Sequence, residues 1–302
     1  MNKSEQTINT GQLQQLTELA TASVKKVVIK NNRRHLINDT VLIEQPLQIT
    51  IIWTTYEGNN QLEQSQVFSI TMRTPGNDQQ LILGLLRSEG VIRCFNDVAD
   101  ISSSNLESNN EWEVCLTAGV VPELSSLERY QMTYSSCGLC GTTSLKSLEL
   151  KTPPELSDKR DVLAVADIVL MPNIMREQQS LFKLTGGSHA AALFNGNRLV
   201  DIREDIGRHN AVDKLFGALL ESKNVKQQHN GDVLACVVSG RVSFEIVQKT
   251  VMAGIAILIA VGAPSDLAIL AAKRFNLTLL GFTTEHGFNV YHGEWRLLPL
   301  EE

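Results

Sequence analysis

No stretch of this 302-residue sequence is apolar for long enough to span a bilayer. The greasiest run, residues 253–263, stops at Pro264, about half of the roughly 20 residues a membrane helix needs. Nor does the chain open on a basic flank followed by an apolar core, so no secretory signal or anchor is expected. An excess of positive charge is also lacking: 27 Lys and Arg face 33 Asp and Glu, for a net charge of −6. General nucleic-acid or membrane-surface binders need the opposite balance. Neither partner is expected, and an anionic ligand would need a local basic pocket. Cysteine is sparse and odd in number: Cys94, Cys115, Cys137, Cys140 and Cys236 are scattered apart from one pair. That excludes the dense disulfide framework of a small secreted domain and fits a reducing, cytoplasmic setting. Internal repeats and low-complexity tracts are missing too.

What is present is length enough for more than one comfortable core, so a main domain with a second, smaller one is expected. Residues 1–23 are polar and read as a loosely ordered arm with one short helix near 13–19. Residues 24–130 read as a strand-rich N-terminal domain. VVIK, PLQITIIW, QVFSITMRT and EWEVCL carry the β-branched and aromatic residues of strands. One helix interrupts them, from Asp78 to a stop at Gly90, with RTPGN as its entry turn.

The composition changes after Pro122, and residues 131–302 alternate strands with amphipathic helices. This pattern builds a mostly parallel sheet with helices on its faces, so the expected class is α/β here and α+β overall. A helix is predicted over 167–182, a hairpin turn at Asn195-Gly196 and a helix over 210–220. The clearest unit runs VLACVV, the loop SGR, a helix from Ser243 to a stop at Gly254, IAILIAV, and the loop GAPS. A helix capped by Ser265 and stopped at Asn276 follows, then LTLLGF. Ligands of such βαβαβ sheets sit at the loops after the strand ends.

The run SSCGLCGTTSL at 135–145 places Cys137 and Cys140 three positions apart beside Gly138 and Gly141, in a loop that another molecule can approach. A structural zinc site needs four ligands, yet the other cysteines are isolated and the histidines scattered. Zinc deaminases place His-x-Glu ahead of Pro-Cys-x-x-Cys. Here the cysteines precede His189, and Ala191 stands where the Glu would be. A thioredoxin-like dithiol opens a long helix, which Pro153 and Pro154 would cut off. There remain a nucleophile that carries sulfur as a persulfide, its pKa lowered by a helix starting near Gly141, and two half-buried cysteines that pack as small apolar residues.

Three polar clusters accompany the pair. Gly186 and Gly187, in TGGSH, could turn backbone N–H groups toward an anion. His189 after them reads as a ligand contact, a proton carrier or a hydrogen-bonded core histidine. Residues 200–217 gather Arg203, Arg208 and Lys214, a local positive charge suited to phosphates. Ser239 and Arg241, flanking Gly240, follow a strand, with GAPS beside them if the two strands are parallel neighbours.

With these residues in place, the chain closely resembles the FdhD family of sulfurtransferases required for formate dehydrogenase maturation. The matches are RTPGND (73–78), SSCGLCG (135–141), TGGSHAAAL (185–193), REDIGRHNAVDKLFG (203–217), SGRVSFEIVQK (239–249) and APSDLA (263–268). The resemblance implies that a cysteine desulfurase delivers sulfur to the pair, giving a persulfide on Cys137 with Cys140 assisting. The sulfur then passes to a molybdenum cofactor bearing guanine dinucleotides, molybdenum bis(molybdopterin guanine dinucleotide), which activates formate dehydrogenase. No permanently bound cofactor or metal is implied. A cytidine-deaminase-like C-terminal fold and a homodimer are implied as well. The family holds the guanine-nucleotide-type ligand partly through the segment after the last αβ unit, here Phe282, Thr283, Thr284, Glu285, His286 and Gly287. The basic residue expected after the phenylalanine is replaced, so that contact is expected to be weaker or supplied elsewhere. The alternatives of another class are a non-catalytic cofactor-binding chaperone and a zinc-held interaction module.

Overall fold

The segment PLQITIIW buries every second side chain, Leu47, Ile49, Ile51 and Trp53, as one face of a strand must when it covers a core. In the computed structural model, which describes residues 10–58, 60–105, 109–122, 153–222 and 233–299, this strand is β3 (Gln45–Glu57) of a four-stranded sheet ordered β4-β3-β6-β5. Its other members are β4 (Asn60–Arg73), β5 (Val98–Ser103) and β6 (Glu111–Leu116). Helix α2 (Asp78–Ser88) lays Leu81, Ile82, Leu85 and Leu86 on the buried face. Arg73 holds the entry to α2 through a two-pronged contact with Asp78, Nε to Oδ1 at 2.8 Å and Nη2 to Oδ2 at 3.2 Å.

Ahead of this sheet lie helix α1 (Thr10–Ala20) and a separate hairpin of β1 (Thr21–Lys30) and β2 (Arg33–Leu42). The arm expected over 1–23 is therefore helical from Thr10 and already strand at Thr21. Strands β2 and β5 were not expected, since RRHLIND and VADISS are too polar to stand out. The hairpin turns on Asn31 and Asn32, both left-handed at φ 51° and 60°, a conformation that Asn tolerates.

The second sheet has six strands in the order β12-β11-β10-β9-β7-β8. They are β7 (His189–Asn195), β8 (Arg198–Asp205), β9 (Leu234–Val238), β10 (Ile257–Ala260), β11 (Thr278–Thr284) and β12 (Gly287–His292). The predicted parallel unit is there: β9, β10 and β11 run parallel, flanked by antiparallel β7 and β12. Helix α3 (Val165–Gln178) covers one face through Ile168, Met171 and Met175. The other face is covered by α5 (Arg208–Glu221), α6 (Phe244–Met252) and α7 (Asp266–Arg274). Ser265 caps α7 by accepting the Ala268 N–H at 3.2 Å, and Asn276 ends that turn at φ 57°.

The helix predicted over 167–182 is broken. Gln179 leaves helical geometry at ψ 85°, and a short helix α4 (Ser180–Thr185) restarts after it. The Glu204 carboxylate on β8 accepts the N–H groups of Leu181 and Phe182, both at 2.9 Å, and so stabilises the new helix start. The proposed boundary at 130/131 falls within residues 123–152, outside the described residues, as do Cys137 and Cys140.

Candidate functional site

Because β7 runs antiparallel to β9, the first residue of one stands beside the loop that leaves the other. Ser239 donates its N–H to the Ala190 carbonyl at 3.0 Å and accepts the Ala190 N–H on Oγ at 2.9 Å. Its Oγ then lies 3.5 Å from His189 Nδ1. The loops after β9 and β10 are joined to each other and to the end of β11. Gly262 donates its N–H to Gly240 O at 3.2 Å, and Phe282 donates its N–H to Gly262 O at 3.2 Å. Residue 262 has to be glycine for this, since a Cβ there would sit 2.8 Å from Gly240 O. The SGR and GAPS loops thus lie side by side, as the parallel order required.

An open depression of about 240 Å³ lies at the β7 end of this crest, lined by Gly186, Gly187, Ser188, His189 and Ser239, and by Arg176, Gln179 and Phe182 across from them. The Arg176 guanidinium lies 3.6 Å over the Phe182 ring, a cation–π contact that holds both side chains. Ser188 is anchored by donating to Glu204 Oε1 at 2.6 Å. Gln179 is 1% exposed, and its Nε2 has no hydrogen-bond partner among the described residues. An unpaired buried amide donor costs about 1–3 kcal/mol. Its place in the wall of a depression suits it to an acceptor on a ligand.

Burial lowers the pKa of His189, and Arg208 and Arg241 lower it further. The imidazole is therefore neutral at neutral pH, and the positive charge here belongs to the arginines. Arg208 reaches the same glycine: a Cβ at residue 240 would stand 3.5 Å from both Arg208 Cδ and His189 Nδ1. The buried Arg208 Nε has no partner among the described residues. The next residue, His209, is driven down to about 3 by burial and then by Lys249, Arg208 and His189. Its Nε2 contact with Glu245 at 3.1 Å is accordingly a hydrogen bond of a neutral ring rather than an ion pair. Ser243 Oγ meets the same Nε2 at 3.2 Å. Serine and carboxylate on one nitrogen leave no relay of the Ser-His-acid type.

The end of β11 and its turn into β12 stand at the far end of the crest. Phe282 is half exposed at φ 54°, and the buried Thr283 Oγ1 has no partner among the described residues. Thr284 Oγ1 donates to Gly287 O at 3.3 Å and accepts the His286 N–H at 3.3 Å. Glu285 accepts from Asn173 Nδ2 at 3.2 Å. Asn173 and Arg176, three residues apart, share one face of α3, which runs as a polar ridge from this hairpin to the depression.

Gly186, Gly187, His189 and Ser239 are therefore brought into one depression, with Arg208 and Arg241 beside His189. Arg203 is not among its lining residues: its Nη2 pairs with Asp201 at 3.1 Å, while its buried Nε lacks a partner among the described residues. Lys214, expected to offer charge to phosphates, is buried instead, 2.7 Å from Asp205 and donating to Thr74 O at 2.8 Å. Arg176, Gln179, Phe182 and Glu204 were not read as site residues. Their roles depend on the helix break at Gln179, which no local signal announces. Two of the described thiols are held away from thiolate: Cys236 is pushed up to about 12 by burial, and Cys115 is raised by burial and by Asp100, Glu113 and Glu63. Among the described residues, no helix is long and apolar enough to cross a membrane.

The model of the FdhD/NarQ family matches residues 44–298. The sulfur carrier protein FdhD of Streptomyces avermitilis is 40% identical over 267 residues, covering 86% of this chain and 89% of its own. That of Sulfurisphaera tokodaii is 38% identical over 277 residues, covering 91% and 98%. A crystal structure from Desulfotalea psychrophila, of a protein assigned as a formate dehydrogenase accessory protein, has the same fold. Its TM-score is 0.68 at 24% identity, covering 92% of this chain and 100% of that one.

Proposed function

This chain belongs to the FdhD/NarQ family, and from that premise we propose that it is a sulfur carrier for formate dehydrogenase, a sulfurtransferase working through a persulfide on Cys137. The Cys137 thiolate would attack the outer sulfur of a persulfide on a cysteine desulfurase. A new S–S bond forms on Cys137 as the donor's S–S bond breaks, and the donor leaves as thiolate. Cys140 can take up the same sulfur by the same exchange. The acceptor is molybdenum bis(molybdopterin guanine dinucleotide), a substrate rather than a resident group, and the setting is the cytoplasm.

The observation that carries this reading beyond the motif is the depression beside Gly187, where the Gln179 amide donor is buried and unpaired. Gln179 would donate to an acceptor on the ligand, and Arg176 over Phe182 offers a flat cationic surface for a base or phosphate. Arg208 and Arg241 supply the local positive charge that the acidic chain needs elsewhere. The joined loops from Gly240 to Phe282 give a dinucleotide an extended path, and Thr283 Oγ1 offers a polar contact at its far end.

Incubation with a desulfurase and cysteine, followed by mass spectrometry of the peptide holding Cys137, tests the proposal: one added sulfur is expected there, and its absence refutes the carrier role. Full activation of formate dehydrogenase by a Cys137→Ala, Cys140→Ala double variant would select the non-catalytic cofactor chaperone instead.

A further inference from the structure

Six of the eight described residues that line the depression lie between Gln179 and His189, in the short stretch where α3 ends, α4 runs and the glycine pair turns into β7. A stretch restarted after a helix break has orphan N–H groups to satisfy. The Glu204 carboxylate satisfies them, and holds both ends of the stretch, without lining the depression itself. Its Oε2 accepts the Leu181 N–H at 2.9 Å and the Ser180 hydroxyl at 3.3 Å. Its Oε1 accepts the Phe182 N–H at 2.9 Å and the Ser188 hydroxyl at 2.6 Å. Both flanks of the Gly186-Gly187 turn are thereby tied to one side chain, and the Ser188 bond has the length of a charge-assisted one. Four donors on two oxygens suit a carboxylate. Gln would present an amide NH2 to one pair of them, donor against donor.

The backbone under this side chain is fixed from the opposite face. Glu204 stands opposite Ala190 in the β7–β8 register. Its carbonyl accepts from Lys214 Nζ at 3.4 Å, the same ammonium that donates to Thr74 O at 2.8 Å. Successive strand residues point to opposite faces, and Asp205 accordingly turns away to accept the Thr74 N–H at 3.1 Å. Ile206 then donates its N–H to Thr74 Oγ1 at 3.1 Å. The RTPGND loop, none of whose residues lines the depression, thus clamps the end of β8 from behind.

We infer that Glu204 is the positioning residue of the depression: it sets where the Gln179 amide and the Gly186-Gly187 turn stand for a nucleotide, and itself touches no ligand. Without its two acceptor oxygens the first N–H groups of α4 are orphaned and the break at Gln179 is no longer held. The Gln179 amide, buried and unpaired among the described residues, then shifts away from its acceptor on the ligand. The inference rests on the reading of the depression as the ligand's seat.

Calorimetry of the full chain with GDP as the probe, joined to amide hydrogen exchange without ligand, tests it. Glu204→Gln should bind GDP roughly tenfold or more weakly, in the range of a lost hydrogen bond. Gln179→Leu, which alone costs roughly tenfold, should add less than about twofold in that background, because residues that act through one another are not additive. A purely structural Glu204 would leave the two losses multiplicative. In Glu204→Gln the Leu181 and Phe182 amides should also exchange roughly tenfold faster or more, while those of Cys236 and Val237 in β9 stay protected and show an intact core. Should that variant not fold, Glu204→Asp takes its place in both measurements, since it keeps the charge and withdraws it by one methylene. Undiminished GDP binding, losses that multiply, or unchanged exchange at Leu181 and Phe182 would overturn the inference alone. A wild type that does not bind GDP would overturn the reading of the depression, and the inference with it.

Discussion

Gly217 and Gly84 stand back to back where α5 crosses α2. A Cβ on Gly217 would fall 2.8 Å from the Gly84 nitrogen and run into the Gln80 carbonyl, and one on Gly84 would run into the Asp213 carbonyl. This contact docks the helix under the N-terminal sheet onto the helix that begins with Arg208 and His209.

Overpacking at that crossing has to move a backbone, so Gly217→Ala or Gly84→Ala should cost about 1–3 kcal/mol or more. Urea unfolding would register it as a lower midpoint with an unchanged slope. Gly187→Ala, whose Cβ meets nothing nearer than 3.5 Å, should leave the midpoint in place. Equal stability of all three variants would show that the crossing is not tight.

Beneath the crossing Lys249 donates to both Asp213 oxygens at 2.8 and 2.9 Å, and Ser88 Oγ adds a third bond at 3.1 Å. Burial pushes the Asp213 carboxyl up to about 6. It remains charged at neutral pH, as does Lys249, where Asp213 and Glu89 together outweigh burial. Removing one partner strands the other, so Lys249→Met should cost about 3–5 kcal/mol. The double variant Lys249→Met, Asp213→Leu should be less destabilised than the single one, and a double variant at least as unstable would argue against an uncompensated charge as the cause.

The folded chain holds His209 near 3, against 6.5 for an ordinary histidine, by burial reinforced by Lys249, Arg208 and His189. Between those values the unfolded chain binds a proton that the folded chain refuses. Stability from this residue is therefore complete above pH 6.5 and is lost as pH falls toward 3, by about 1.4 kcal/mol for each unit traversed. Urea midpoints measured from neutral down to about pH 4 should fall less steeply for His209→Gln than for the wild type. Parallel profiles would mean that the ring protonates normally.

Among the described residues, Gln179 supplies the one lining donor that is both buried and unpaired. With GDP as a probe for the guanine end of the ligand, calorimetry should show Gln179→Leu binding roughly tenfold more weakly, in the range of a lost hydrogen bond, with thermal stability equal or higher because the unpaired buried amide is gone. Arg176→Ala should weaken it further by freeing Phe182. Unaltered affinity in both would place the ligand elsewhere along the crest.

The sequence by itself determined the elements whose causes are local. Alternation in PLQITIIW, the glycine at 254, the Ser265 cap and the left-handed Asn276 specify where strands and helices run, because period, capping and φ preference act within a few residues. The parallel unit and the neighbouring SGR and GAPS loops follow from the same logic, and the cysteine pair is legible as chemistry although it lies outside the described residues. Only the tertiary structure decided the rest. Gln179 leaves the helix because Glu204, on a distant strand, caps the helix that follows it. Lys214 is diverted from any phosphate because Asp205 and Thr74 meet it in the interior. The hairpin's second strand, too polar to declare itself, forms because β1 lies alongside it. In each case the deciding partner is met only once the chain has folded, whether across a hairpin turn or from Thr74 to Lys214, and burial sets whether a charge serves a ligand or the fold.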